Sequence, residues 1–277
     1  MTNIRRPRVL LIDSGAGGLS ILQEILDQWS GIEAVFVADK AAYPYGQMED
    51  SSLIKRVVLL CELCLSRYQP DLVVIACNTA STIVLETLRR TFPVPFVGVV
   101  PAVKPAAALS RKGKFAVLAT KATVNREYLR KLLEQFAENN TTFHIGSAAL
   151  VDICENYVAT GELDIEDLQQ ELSGFINVLS QIDILVLACT HFPLIKAHMC
   201  ALLKERNLDI TLLDSGEAIA RRVRTLLEEH GFSEGGGESS VEFASTAARL
   251  EGYSVFLRSK TAQNFKTSEA SLALSHH

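Results

Sequence analysis

Asp71-Leu72-Val73-Val74-Ile75-Ala76-Cys77-Asn78-Thr79 is an apolar run that opens on an acid and stops at a cysteine. The chain carries the same frame again as Asp183-Ile184-Leu185-Val186-Leu187-Ala188-Cys189-Thr190-His191. A short apolar run with β-branched residues and a polar stop predicts a strand covered on both faces, as in a parallel sheet. In open α/β sheets, ligands sit outside the carboxyl ends of the strands. Both cysteines are therefore expected where a site is built. One such cysteine would read equally well as core, because free cysteine is among the most buried residue types. Two in one frame point to reactive thiols.

Outward from these runs the chain alternates. Strands are predicted over 9–12, 35–37, 94–99, 115–120, 143–145 and 210–213, with late strands at 241–244 and 254–257. Helical spacing covers 19–29, 53–67, 80–90, 126–138, 150–157 and 165–179, and Pro193 suits the first turn of another helix. Alternation of this kind predicts a parallel sheet with helices on both faces. The repeated unit predicts two similar α/β domains with mainly parallel sheets flanked by helices, and a small-molecule site in the cleft between them.

At 277 residues, 48% hydrophobic and 21% charged, the chain can bury a sizeable core. A net charge of −5 lacks the basic footprint of a nucleic-acid binder. No apolar run reaches the length of a membrane span, and Asp13 cuts the first one too short for a signal-peptide core. Six cysteines without a dense pattern fit reduced thiols, so a cytoplasmic protein is expected. Residues 233–240, rich in Gly, Glu and Ser, read as a surface loop, and the stretch 259–277 as a tail that frays. His276 and His277 are assigned no role.

Cys61 and Cys64 form a C-x-x-C, but both fall on the apolar stripe of a helix and read as core. Asp214 with Glu217 has the spacing of a capping box. The turn Asp13-Ser14-Gly15-Ala16-Gly17-Gly18 fits neither a dinucleotide fingerprint nor a P-loop. It is a tight βα turn or a turn whose N–H groups hold a carboxylate.

Thiols serve as metal ligands, redox partners, nucleophiles or acid/base groups. A metal would ask for more Cys or His at ligand spacing than His191 alone, so none is expected. Redox pairing generally uses a local C-x-x-C. A nucleophile at Cys189 with His191 as base leaves Cys77 unexplained. A thiol on each side of one carbon explains both: one removes a proton and the other delivers one to the opposite face. Helix N-termini after each cysteine would favour the thiolate. Asp13 and His191 are placed to assist proton traffic. Ser14, Asn78, Thr79, Thr190 and backbone N–H groups would hold a carboxylate substrate. No motif for a pyridoxal or nicotinamide cofactor is found, so no cofactor is expected, although a Schiff-base lysine stays open.

Taken together, Asp13-Ser14-Gly15 with Gly17-Gly18, Asp39 with Pro44-Tyr45-Gly46, Ala76-Cys77-Asn78-Thr79-Ala80-Ser81, Cys189-Thr190-His191-Phe192-Pro193-Leu194 and Asp214-Ser215-Gly216 match one family. From about residue 8 to 222 the chain resembles the cofactor-independent glutamate racemases of the aspartate/glutamate racemase superfamily. The resemblance implies interconversion of L- and D-glutamate, supplying D-glutamate for peptidoglycan and hence cell-wall synthesis and cell shape. It implies Cys77 as the proton donor/acceptor for the D-enantiomer, assisted by Asp13, and Cys189 for the L-enantiomer, assisted by His191. Ser14, Tyr45, Gly46, Asn78, Thr79 and Thr190 would bind substrate. It further implies a discontinuous first domain, 1–98 plus 210–277, around a second of 99–209. A homodimer and a muramoyl-precursor activator are compatible with it, without a signature for either.

The chain departs from the family in two places. Where many members have Gly-Thr-x-Gly-Thr, it reads Ala119-Thr120-Lys121-Ala122-Thr123, which keeps Thr120 and Thr123 as substrate contacts. The helper glutamate of a Pro-rich segment maps to Glu155, with Asp152 as competitor. Aspartate racemases are the nearest rival, and they typically carry Glu where this chain has His191. The substrates differ by one methylene, worth about 1–3 kcal/mol in a pocket, which pocket size alone does not resolve. Another diacid isomerase of the superfamily, or a non-catalytic binder of acidic ligands, completes the alternatives.

Overall fold

A computed structural model describes residues 5–247, 249–261 and 263–273. These divide into two compact units, 1–99 with 216–277, and 100–215.

The first unit is built on a sheet of six strands: β1 (Arg8–Asp13), β2 (Glu33–Ala38), β3 (Leu72–Ile75), β4 (Phe96–Gly98), and, from late in the chain, β9 (Ser239–Ser245) and β10 (Phe265–Ser271). Their order is β10-β9-β2-β1-β3-β4, and every pairing is parallel. The second unit holds β5 (Lys114–Ala119), β6 (Thr141–Gly146), β7 (Ile184–Leu187) and β8 (Thr211–Leu213), in the order β6-β5-β7-β8, again parallel. Both repeated runs thus become inner strands. β3 lies between β1 and β4, β7 between β5 and β8, and all eight of their residues are buried. Continuous burial is what an unbroken apolar run requires.

The repeated acids pin the amino ends of these strands. Asp71 accepts from the Arg8 N–H at 2.8 Å and from Arg5 Nη1 at 2.8 Å. Asp183 accepts from Ser110 Oγ at 2.6 Å and from the Arg111 and Lys112 amides at 2.6 and 2.9 Å. Burial works against the Asp183 carboxylate, but these bonds outweigh it and hold its pKa below the ordinary value.

The helix Asp50–Tyr68 shows the same economy: Leu53, Val57, Leu60, Cys61, Cys64 and Tyr68 form its buried stripe. Cys61 and Cys64 are fully buried, and burial pushes the Cys64 thiol up to about 12, so neither is a thiolate near neutrality.

Several expectations change. Residues 254–257 are helical, within Tyr253–Lys260, because Tyr253, Phe256 and Leu257 bury at helical spacing. Part of the expected fraying tail forms β10, an edge strand in which only Phe265 is fully buried and no apolar face alternates. His276 and His277 lie outside the described residues. The predicted 165–179 helix breaks at Phe175 into Ile165–Gly174 and Ile176–Leu179. β8 pairs with β7, so residues 210–213 go with the second unit and the boundary falls after 215 instead of 209. The helix after it begins at Gly216; Asp214 accepts from Lys196 Nζ at 2.7 Å and Glu217 pairs with Arg221. Among the described residues no helix is long and apolar enough to cross a membrane.

Candidate active site

In the first unit the site residues stand at the carboxyl ends of neighbouring strands. β1 and β3 run in register through Ile12 and Ile75, and the Ala76 N–H donates to the Ile12 carbonyl at 2.8 Å. Asp13 follows Ile12 directly, and Cys77 follows Ala76. Asp13 is buried, and its carboxylate accepts from the Ser14 and Gly18 N–H groups, each at 2.6 Å. So two N–H groups of the turn expected to hold an anion are taken by the chain's own acid. Gly18 is required there, since a Cβ would meet Ala76 Cβ and Phe36 Cε2 at 2.9 Å.

Cys77 is half-buried, has extended backbone and serves as N-cap of the helix Asn78–Thr91. Asn78 and Thr79, the first helical residues, are buried, and Asn78 Nδ2 has no hydrogen-bond partner. Such an orphan donor at a helix N-terminus is an arrangement that a carboxylate satisfies. Ser81 fixes this start: its Oγ donates to the Ile75 carbonyl at 2.9 Å and accepts from the Val99 N–H at 3.0 Å. Tyr45 is buried, with its N–H 3.5 Å from Ser14 Oγ, and Gly46 is half-buried beside it. Burial foremost, then Asp39, Cys77 and Asp13, raises the Tyr45 pKa well above that of a free phenol, so it stays a neutral donor.

The second unit repeats the plan. β5 and β7 run in register through Leu118 and Leu187, and the Ala188 N–H donates to the Leu118 carbonyl at 2.8 Å. Thr120 and Cys189 follow at the strand ends. Thr120 Oγ1 accepts from the Thr123 N–H at 3.3 Å and lies 3.0 Å from Thr123 Oγ1. Thr190 is buried. Cys189 Sγ lies 3.6 Å from His191 Nδ1, and His191 Nε2 lies 2.7 Å from Glu155 Oε1. A thiol, an imidazole and a carboxylate in line form a proton-handling chain. Asp152, the competitor for the carboxylate role, is exposed on the same helix, Ala149–Thr160.

The two ends differ in one respect. No α-helix starts at once after Cys189: a 3₁₀ turn, Phe192–Ile195, comes first, with Pro193 in its opening positions, and the helix begins at Lys196. The dipole expected behind Cys189 is therefore displaced, and His191 stands in its place. Sequence reasoning also passed over Cys154. It is fully buried, and burial first, then Cys189 and Glu155, raises its pKa far above that of a free thiol. Among the described residues no group of three or more His, Cys, Asp or Glu is placed to hold a metal ion.

Burial disfavours the His191 imidazolium, but its bonds to Cys189 and Glu155 and their charge outweigh that, raising its pKa well above 6.5. A pKa raised on folding contributes stability in full below the unfolded value, about 6.5, and loses it as pH climbs through the folded value. Thermal unfolding should therefore show the melting-temperature gap between wild type and His191→Asn narrowing as pH rises above about 6.5. A gap independent of pH would contradict the ionised pairing.

The family model described as Asp/Glu/Hydantoin racemase matches residues 13–223. Over 221 residues the chain is 45% identical to a glutamate racemase of Shewanella sp. strain ANA-3, covering 80% of this chain and 79% of that one. It is 44% identical over 230 residues to a glutamate racemase of Vibrio vulnificus strain CMCP6, covering 83% and 84%. Among solved structures it resembles Escherichia coli glutamate racemase in complex with L-glutamate and the activator UDP-MurNAc-Ala. That likeness has a TM-score of 0.84 at 35% identity, covering 98% of this chain and 100% of that one.

Proposed function

The chain belongs to the Asp/Glu/Hydantoin racemase family and, within it, to the glutamate racemases, and on that premise we propose that it inverts the α-carbon of glutamate by passing protons through two thiols, Cys77 and Cys189. The observation that carries this reading is the equivalence of the two thiols. Each follows an inner parallel strand, one in each unit; Cys189 lies beside His191, and Cys77 follows the strand paired with the one that ends at Asp13.

The thiolate of one cysteine takes the α-proton, leaving charge spread onto the substrate carboxylate. The thiol of the other then gives a proton to the opposite face. One C–H bond breaks, another forms, and the thiols end with their protonation states exchanged. Cys189 acts on L-glutamate, with His191 relaying its proton and Glu155 holding His191. Cys77 acts on D-glutamate with Asp13 beside it. Ser14, Tyr45, Gly46, Asn78, Thr79, Thr120, Thr123 and Thr190 hold the substrate, and the orphan Asn78 Nδ2 is a ready donor for its carboxylate. Donors fixed before the charge develops stabilise the carbanion-like transition state. The product D-glutamate would serve peptidoglycan synthesis in the cytoplasm, where free thiols persist. The Escherichia coli complex supports L-glutamate as substrate and a muramoyl-precursor activator.

Incubation with L-glutamate in D₂O, without added cofactor, tests this. Loss of the Cα proton by NMR together with decay of optical rotation is expected. Folded, reduced protein that exchanges neither enantiomer would sink the assignment, and aspartate in the same assay separates the nearest rival.

A further inference from the structure

Asp39 belongs to a motif of the family resemblance, yet the proposed reaction gives it no task. It is fully buried at the end of β2, and its carboxylate gathers four donors. Arg56 grips it with a fork, Nε at 2.9 Å and Nη2 at 2.6 Å. The Tyr45 hydroxyl donates at 2.9 Å and the Thr246 hydroxyl at 2.7 Å. Thr246 also accepts the Ala41 N–H at 3.1 Å, and its own N–H donates to the Ala38 carbonyl at 3.3 Å. One carboxylate thus ties together the helix carrying Arg56, the loop carrying Tyr45, and the segment that follows β9.

A buried ion pair is weak support for stability, since well-packed apolar groups do as well or better. Its better-attested use is to fix one arrangement among several. Here the arrangement fixed is the 40–47 loop: Tyr45 is clamped at its hydroxyl by Asp39 while its N–H faces Ser14. Thr246 lies beyond residues 13–223, so the family match does not reach it.

We propose that Thr246, delivered by the C-terminal segment, is a positioning residue that acts through Asp39 and Arg56 to hold the Tyr45 loop in its substrate-binding form. The inference rests on the glutamate reading above. Thr246→Val keeps the shape and removes the hydroxyl, leaving Asp39 one donor short and the Ala41 N–H unanswered. The expected result is a KM for glutamate raised about tenfold with a smaller change in kcat, because a lost ground-state contact appears in KM. Thr246→Ser, which keeps the hydroxyl, should return KM to within about twofold of wild type. A purely structural role would lower Tm and leave the KM of the folded fraction unmoved. Should Thr246→Val not fold, Arg56→Lys, which loses the fork and keeps the charge, is read the same way. Wild-type turnover with KM unmoved in the folded variants overturns the positioning role. Absence of glutamate turnover in wild type overturns the functional reading, and this inference with it.

Discussion

Cys77→Ser and Cys189→Ser should each lower racemisation of glutamate by about 10³-fold or more, while each leaves one half-reaction running. The size follows from the chemistry of the group. A thiol with a pKa near 8.5 can be poised as a thiolate near neutrality, and an alcohol cannot. A well-placed acid or base is worth about 10²–10⁴-fold, and the proposed reaction uses each thiol on every turnover, as base in one direction and acid in the other. The surviving half-reaction is the sharper sign. In D₂O the Cys77→Ser protein keeps Cys189, which takes the proton of L-glutamate and returns a deuteron to the same face. L-glutamate should lose its Cα proton and keep its rotation, and D-glutamate should do neither. The Cys189→Ser protein should reverse the pattern. Proton NMR and polarimetry on the same samples decide it. Racemisation within tenfold of wild type in either variant would rule out the two-thiol mechanism.

Most of the architecture was legible because one signal repeats. Leu72–Ile75 and Ile184–Leu187 carry their buried character in every residue, and an unbroken apolar run has few other homes. The cysteines were legible for the same reason, since the run that names the strand also names its end. β10 was not legible: an edge strand with one buried residue offers no periodicity, and it is held by pairing with β9 across the chain. The 254–257 stretch misled because β-branched and aromatic residues suit strands, while Tyr253, Phe256 and Leu257 meet the core at helical spacing. Rotation of one helix turns Glu155 to His191 and Asp152 to solvent, which the spacing of the two acids in the sequence does not tell. The tie between Asp39 and Thr246 spans most of the chain, and no local pattern encodes a contact of that separation.

Glu155→Gln should lower kcat/KM by about 10²-fold, equally for both enantiomers, and split the deuterium isotope effects apart. L- and D-glutamate have the same free energy in water, so the equilibrium constant of the overall reaction is unity. The ratio of kcat/KM in the two directions must then stay at one in any variant, however one-sided the lesion. What moves is the step that limits the rate. The lesion is one-sided, because Glu155 bonds His191 at 2.7 Å and His191 faces Cys189. Glutamine keeps the size and an acceptor oxygen but removes the charge that favours the imidazolium. Proton transfer at Cys189 slows, and transfer at Cys77 does not. With α-deuterated L-glutamate the Cys189 step breaks the labelled bond, so its isotope effect on kcat/KM should rise. With α-deuterated D-glutamate the labelled bond breaks at Cys77, now far from limiting, and the effect should fall toward one. An isotope effect that rises equally for both enantiomers would place Glu155 and His191 at neither thiol in particular, and would remove the assignment of Cys189 to the L-face.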